Sequence, residues 1–156
     1  MASIAISSMI LFVCTKSAMT ALALSKVDRS ENQASELMSA TQAFFESRCG
    51  SGGGVQPTIT LLKQEGFLND KFDSVFSLGG SISSRIVWSD GTTTSRIQVM
   101  ATLPVGKNAA AFVNSLGADR NVGQTIYWDE TPAIYSRLHN DEIYENFKYL
   151  MPGLCK

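Results

Sequence analysis

The stretch SMILFVCTKSAMTALALSK, residues 8–26, decides the fold of this chain. It is apolar enough to suggest a membrane, yet Lys16 lies in its middle among serines and threonines. A charge at that depth in lipid is costly unless it faces protein, another polar group or the membrane interface. The stretch therefore predicts a helix that contacts protein partners as well as lipid.

The stretch belongs to a longer helical pattern. No proline or glycine occurs from Ala2 to Arg48, and such a run predicts one helix of about 45 residues, roughly 70 Å long. Residues 2–24 hold a single charge, whereas residues 25–48 are amphipathic. The apolar positions of the second half recur mostly at three- and four-residue spacings and are Val27, Ala34, Leu37, Met38, Ala40, Phe44 and Phe45. This half is expected to pack on a domain.

Three interpretations of residues 2–24 are open. Residues 21–23, Ala-Leu-Ala, have the form of a signal-peptide cleavage site, although no basic cluster precedes the apolar region. A lipoprotein signal ending at Cys14 would need a small residue just before it, where Val13 lies. The third interpretation is an uncleaved anchor, which at about 20 residues is long enough to cross a bilayer. The anchor is favoured because it continues directly into the amphipathic half.

Length and charge narrow the class of protein. With 156 residues and 44% hydrophobic side chains, the chain fits one domain plus an appendage. The 13 Lys and Arg residues balance 14 Asp and Glu residues, which argues against a nucleic-acid partner. Cys14, Cys49 and Cys155 match no metal-ligand spacing. The sequence predicts neither a metal nor a cofactor.

Residues 49–156 predict a globular α+β head with an antiparallel sheet. The glycine-rich connection 49–57 ends the long helix, and it lacks the Gly-Lys-Ser/Thr end of a phosphate-binding loop. The predicted elements are a short helix from Pro57 to about Glu65, a hairpin over Ser84–Pro104 turning at Asp90-Gly91, a helix from Asn108 to Leu116 stopped by Gly117, and strands at Thr125–Trp128 and Ala133–Tyr135.

Few residues suggest catalysis. His139 is the only histidine and has no nucleophile motif beside it, so a surface position is favoured over a general base. Asp129 and Glu130 are adjacent carboxylates, for which a solvated turn is favoured over a calcium or acid/base pair. Sheet packing is favoured over a binding face for most of the aromatic residues Trp88, Tyr127, Trp128, Tyr135, Tyr144, Phe147 and Tyr149. We therefore expect no enzyme.

The order of elements resembles the type IV pilin superfamily, which comprises major and minor pilins and the pseudopilins of type II secretion. The likeness covers the whole chain: a hydrophobic helix continuing into an amphipathic half, a glycine-rich connection, hairpins and a C-terminal cysteine. The family's leader glycine and its FTLIE-like run do not occur in this sequence, since position 5 is Ala5 and the first glutamate is Glu31.

The resemblance implies a structural subunit of a pilus or pilus-like filament. Its helix would sit in the bacterial inner membrane with the head in the periplasm, and would then join helices of other pilin subunits in an extracellular or periplasmic filament built by an assembly platform. The implied assembly residues are Ile4, Ile6, Ile10, Leu11, Phe12, Val13, Lys16, Leu22 and Leu24. The alternative is a secreted or periplasmic ligand-binding module released by cleavage after Ala23.

Cys49 and Cys155 bracket the predicted head. In an oxidising periplasm a disulfide between them would close a loop of about a hundred residues and stabilise the head by about 3 to 5 kcal/mol in the loop-entropy model. The alternative is two reduced thiols in a cytosolic protein.

Overall fold

A computed structural model describes residues 2–48, 54–88 and 95–132, with the side chains of the first helix described from Thr20 onward. Several sequence predictions lie outside these residues. They are the Asp90-Gly91 turn, the strand at Ala133–Tyr135, the Cys49 and Cys155 pair, and His139.

The first helix, α1, spans Ala2–Arg48 and confirms the long helix predicted from the absence of breakers. Its second half packs on the head through a stripe of buried residues at helical spacing: Ala34, Leu37, Ala40, Phe44 and Phe45. From Thr20 to Lys26, by contrast, every side chain is exposed. Within the described side chains, no helix is both long and apolar enough to cross a membrane.

Four antiparallel strands form one sheet in the order β1-β2-β4-β3. The strands are β1 (Ser81–Val87), β2 (Arg96–Thr102), β3 (Arg120–Val122) and β4 (Thr125–Glu130). The predicted hairpin is confirmed, since β1 pairs with β2 from Ser81↔Thr102 to Val87↔Arg96. The predicted strand at Thr125–Trp128 is confirmed as β4 and extends two residues further. The α+β class with an antiparallel sheet is therefore established.

The sequence prediction missed β3. This strand has three residues, of which Val122 is exposed, so it carries no alternation that periodicity could detect. It joins β4 through the two-residue connection Gly123-Gln124, in which Gly123 has a φ of 59°. A positive φ at this position favours glycine in a tight turn.

The head also contains two short helices. The helix predicted from Pro57 begins later, and α2 spans Ile59–Gln64. The Thr58 hydroxyl accepts a hydrogen bond from the Leu61 backbone N–H at 3.1 Å, so Thr58 is the N-cap and the helix starts after it. Leu62 is fully buried, whereas the predicted partner Leu61 is only partly so.

The helix predicted over Asn108–Leu116 divides into two parts. The third helix, α3, spans Ala109–Val113, and residues Asn114–Leu116 tighten into a 3₁₀ turn. Asn108 is in the N-cap position, but its side chain makes no capping hydrogen bond. Gly117 ends the turn in the left-handed conformation with a φ of 58°, as the sequence predicted.

The core lies between α1 and one face of the sheet. The strands alternate, so that Ile82, Ile86, Ile97, Val99, Ala101, Ile126 and Trp128 face the helix. Helix α1 runs parallel to β1, because Gln33 contacts Ser77 just before the strand and Phe45 stacks on Trp88 just after it. The part of α1 that precedes Gln33 therefore continues past the end of the sheet where β1 begins.

Candidate functional site

The implied assembly residues all belong to the N-terminal half of α1. Residues 4–16 lie on its helical backbone, and their side chains are outside the described part. Leu22 and Leu24 are described, and 65% and 59% of their surfaces are exposed. Head contact begins at Val27, which is partly buried against the core, and at Ser30, which is fully buried. Because residues two positions apart do not share a face of a helix, these leucines leave apolar surface on two sides of α1, and this exposed segment is the candidate contact surface.

The packed half of α1 is fixed to the head by an amide clamp at Gln33. Its Nε2 donates to the backbone carbonyls of Asp73 at 2.6 Å and Val75 at 2.9 Å. Its Oε1 accepts from the backbone N–H of Ser77 at 3.1 Å. Because one side chain satisfies three backbone groups, the segment leading into β1 is held to the helix where the helix leaves the head.

A second amide, Gln56, protects the outer edge of the sheet. It accepts from the Ile86 backbone N–H at 2.9 Å and donates to the Ile86 carbonyl at 2.8 Å, as a neighbouring strand would. Farther along this edge, the Ile82 N–H donates to the Ser74 carbonyl at 3.1 Å. The edge of β1 is therefore partly occupied, which lowers its tendency to pair with another chain. The roles of Gln33 and Gln56 could not be predicted from the sequence, because each clamp depends on contacts with residues distant in the chain.

The face of the sheet that points away from α1 carries a polar network. Arg85 Nε donates to Gln98 Oε1 at 2.6 Å, and Gln98 Nε2 donates to Asp129 Oδ1. Arg120 Nε donates to Asp129 Oδ2 at 3.0 Å, and its guanidinium lies 4.3 Å from the centre of the Tyr127 ring. The chain of hydrogen bonds crosses all four strands. It fixes the arginines in position while much of their surface stays exposed.

The expectation of a solvated turn at Asp129 and Glu130 is wrong. Both residues lie in β4, where successive side chains point to opposite faces. Asp129 joins the polar network on the outer face, while Glu130 points to the other side and is exposed. The two carboxylates therefore cannot act on one ligand. Over the described residues, no group of three or more His, Cys, Asp or Glu side chains is arranged to hold a metal.

Three residues of the aromatic set that the sequence analysis considered lie in the described part: Trp88, Tyr127 and Trp128. Trp128 is in the core, where its Nε1 donates to the Leu116 carbonyl at 3.0 Å. Trp88 stacks on Phe45 with ring centres 5.3 Å apart. Tyr127 lies on the opposite face beneath Arg120. The prediction that sheet packing explains most of them is confirmed for both tryptophans; Tyr135, Tyr144, Phe147 and Tyr149 lie outside the described residues.

An open groove of about 500 Å³ lies between α2 and the segment 70–74. Its Lys63 donates to the backbone carbonyls of Asp70 at 2.8 Å and Phe72 at 2.6 Å. Asp73 accepts from the Val75 backbone N–H at 2.9 Å. The side chains of Lys63 and Asp73 are therefore engaged in holding the loop.

Comparison with known proteins gives no relative. No family model, no curated protein and no solved structure matches this chain.

Proposed function

We propose that this protein is a structural subunit of a pilus or pilus-like filament of the type IV pilin kind, rather than an enzyme. The observation that carries the proposal is the division of α1 into two halves with different surroundings. Residues 30–45 bury a stripe against the sheet, whereas the side chains of 20–26 extend past the head and are exposed. A helix anchored at one end and uncovered at the other offers its free half to a membrane or to other helices.

The free half of α1, residues 2–24, has a sequence that suits the membrane before assembly and a helix bundle after it. Residues 2–24 are apolar apart from Lys16, which suits retention in the inner membrane before assembly. Its many alanines and serines permit close approach of helices, and its hydroxyls can bond across a helix bundle. Lys16 would then find polar partners on neighbouring subunits within the bundle. The head would be displayed on the outside of the filament.

The α+β layout agrees with this proposal in its order of elements. One long helix leads into a head whose antiparallel sheet packs on the helix's second half. This is the arrangement that the pilin resemblance implies, with the head supplying surface chemistry and the helix supplying assembly. Adhesion, motility, DNA uptake and secretion would be properties of the assembled filament and its platform.

The test is assembly by a variant of the exposed leucines. The full chain is produced in a bacterial host together with a type IV pilus assembly system, and sheared surface material is imaged by electron microscopy with antibody labelling. Leu22→Asn with Leu24→Asn should abolish labelled filaments, because polar side chains in a helix bundle weaken its packing. The matched control is Val55→Asn with Val105→Asn, which removes valines that are 47% and 98% exposed on the head.

Filaments from the control but not from the leucine variant support the proposal. Filaments formed equally well by the leucine variant and the control variant would show that the exposed half of α1 takes no part in assembly. Absence of wild-type filaments, with the chain recovered as a released head, would favour the secreted binding module instead.

A further inference from the structure

The head carries opposite charges on its two outer surfaces. The first surface, the arginine face, consists of Arg85, Arg96 and Arg120 on the side of the sheet away from α1. All three are exposed. Among the described residues, the same face offers one carboxylate, Asp129, which is already bound by Arg120 and Gln98. Within the described residues, Arg85 and Arg96 therefore contact no carboxylate.

The second surface, the acidic stripe, consists of Glu31, Glu36 and Glu46 on α1. These are the only charged residues from position 31 to position 46, and all three are exposed. None forms an ion pair with a described residue. The stripe is about 22 Å long at 1.5 Å per residue, and the arginine face is about 14 Å across from β1 to β3 at the usual strand spacing. The arginine face can therefore cover Glu31 and Glu36 together, but not the full length of the stripe.

The two surfaces point in opposite directions. The buried side of α1 covers one face of the sheet, so its acidic stripe points outward from that side, while the arginine face points outward from the other. One molecule cannot bring its own arginine face to its own stripe without unfolding. Two molecules can do so, and each contact leaves one arginine face and one stripe free at the ends. Such head-to-tail contacts continue as an open filament unless they close into a ring.

We infer that the arginine face is a docking surface for the acidic stripe of a second copy of this chain. Charge complementarity selects this occupant: Arg85 and Arg96 have no carboxylate partner among the described residues, and the glutamates of the stripe have no cationic partner among them. The polar network supports the docking because Gln98, only 6% exposed, holds Arg85 through its Nε. The terminal guanidinium nitrogens are then left to make paired hydrogen bonds with carboxylates. The inference rests on the proposed filament function and names the head surfaces that would meet in it.

The test uses the full chain in detergent micelles, with a photo-reactive benzoylphenylalanine at Ser83, an exposed position on the arginine face. Light-labelled and heavy-labelled copies are mixed, so that mass spectrometry separates cross-links between copies from cross-links within one copy. The expected product joins Ser83 of one copy to residues 28–39 of another. Its yield should fall as the sodium chloride concentration rises from 0.05 to 0.5 M, since salt screens exposed charges.

Charge reversal provides the control. Arg85→Glu with Arg96→Glu, or Glu31→Arg with Glu36→Arg, should each lower the inter-copy yield at least about fivefold. Mixing the arginine-face variant with the stripe variant should restore it, since the reversed charges are again complementary. Lys71→Glu reverses an exposed lysine on the head outside both surfaces and should leave the yield unchanged.

Cross-links only within one copy, to residues 133–156 with their Asp141, Glu142 and Glu145, would overturn the inference and assign the arginine face to the chain's own C-terminal segment. A yield unaffected by the reversals would also overturn it. Filament imaging of the same variants separates the two proposals. Filaments that persist through the charge reversals would contradict this docking surface while leaving the filament function in place.

Discussion

The hydroxyl oxygens of Thr41 on α1 and Ser84 on β1 lie 2.9 Å apart inside the core, where Thr41 is fully buried and Ser84 is 9% exposed. The Thr41 hydroxyl also lies 2.8 Å from the Leu37 carbonyl, within its own helix. This hydroxyl pair joins the packed half of the helix to the edge strand of the sheet. It fixes the register between them, because a shift of either element would leave a buried hydroxyl without a partner.

Thr41→Val should destabilise the head by about 1–2 kcal/mol, because valine keeps the shape of threonine but leaves the Ser84 hydroxyl unsatisfied. The double variant Thr41→Val with Ser84→Ala should recover most of that loss, since both polar groups are then removed. Urea denaturation followed by fluorescence of Trp88 and Trp128 measures the free energy of unfolding. Additive losses in the double variant would show that the pair does not couple helix to sheet.

Gly80→Ala should be among the most damaging single changes in the head. Gly80 has a φ of 88°, and a Cβ added there would lie 1.9 Å from the Thr102 carbonyl oxygen. The start of β1 would have to move away from β2, at a cost above about 3 kcal/mol.

The matched control is Gly106→Ala, at a φ of 94° with no atom within 4 Å of the added Cβ. It should cost only the backbone strain, about 1–2 kcal/mol. Thermal unfolding of the two variants separates the cost of the Cβ clash at Gly80 from the cost of the backbone strain. Equal losses would mean that the backbone contact at Gly80 relaxes freely.

Gln56→Ala should expose the edge of β1. The Ile86 N–H would lose its acceptor, so its hydrogen–deuterium exchange should speed up, and the head should lose about 1–2 kcal/mol of stability. Gln64→Ala, which truncates an exposed glutamine on α2, serves as the control and should change neither quantity. Unchanged exchange at Ile86 in the Gln56 variant would show that another group protects this edge.

Lys16→Glu should prevent filament assembly, because reversal of a charge within a helix bundle turns its polar contacts into repulsions. Lys71→Glu changes an exposed lysine on the head and should leave assembly intact. Membrane fractionation and electron microscopy read out both variants. If Lys16→Glu is retained in the membrane and forms filaments normally, Lys16 does not contribute to the assembly surface.

Much of the fold follows from local patterns. The absence of proline and glycine predicted α1, and the apolar spacing from Ala34 to Phe45 predicted its buried side. The alternation around Ile86 and Trp88, together with the turn residues Asp90-Gly91, predicted the hairpin of β1 and β2. The short strand β3 and the strand position of Asp129 were missed because three residues show no period and adjacent carboxylates resemble a turn.

The candidate surfaces could be predicted only in part from the sequence. The pilin resemblance implied Leu22 and Leu24, yet only their exposure distinguishes a contact surface from a core. The arginine face joins residues from β1, β2 and β3, which become neighbours only when the strands pair. The amide clamps at Gln33 and Gln56 likewise depend on contacts across 30 to 44 residues of sequence.

The position of the mature N-terminus decides whether α1 can assemble filaments, because an assembling helix must stay attached to the head. Intact-mass spectrometry of the chain recovered from the sheared surface fraction gives this end in one measurement. If α1 assembles the filament, the product retains residues 4–23 together with the head. A product that begins at Leu24 would contradict assembly by α1 and identify the N-terminal segment as a cleaved signal peptide.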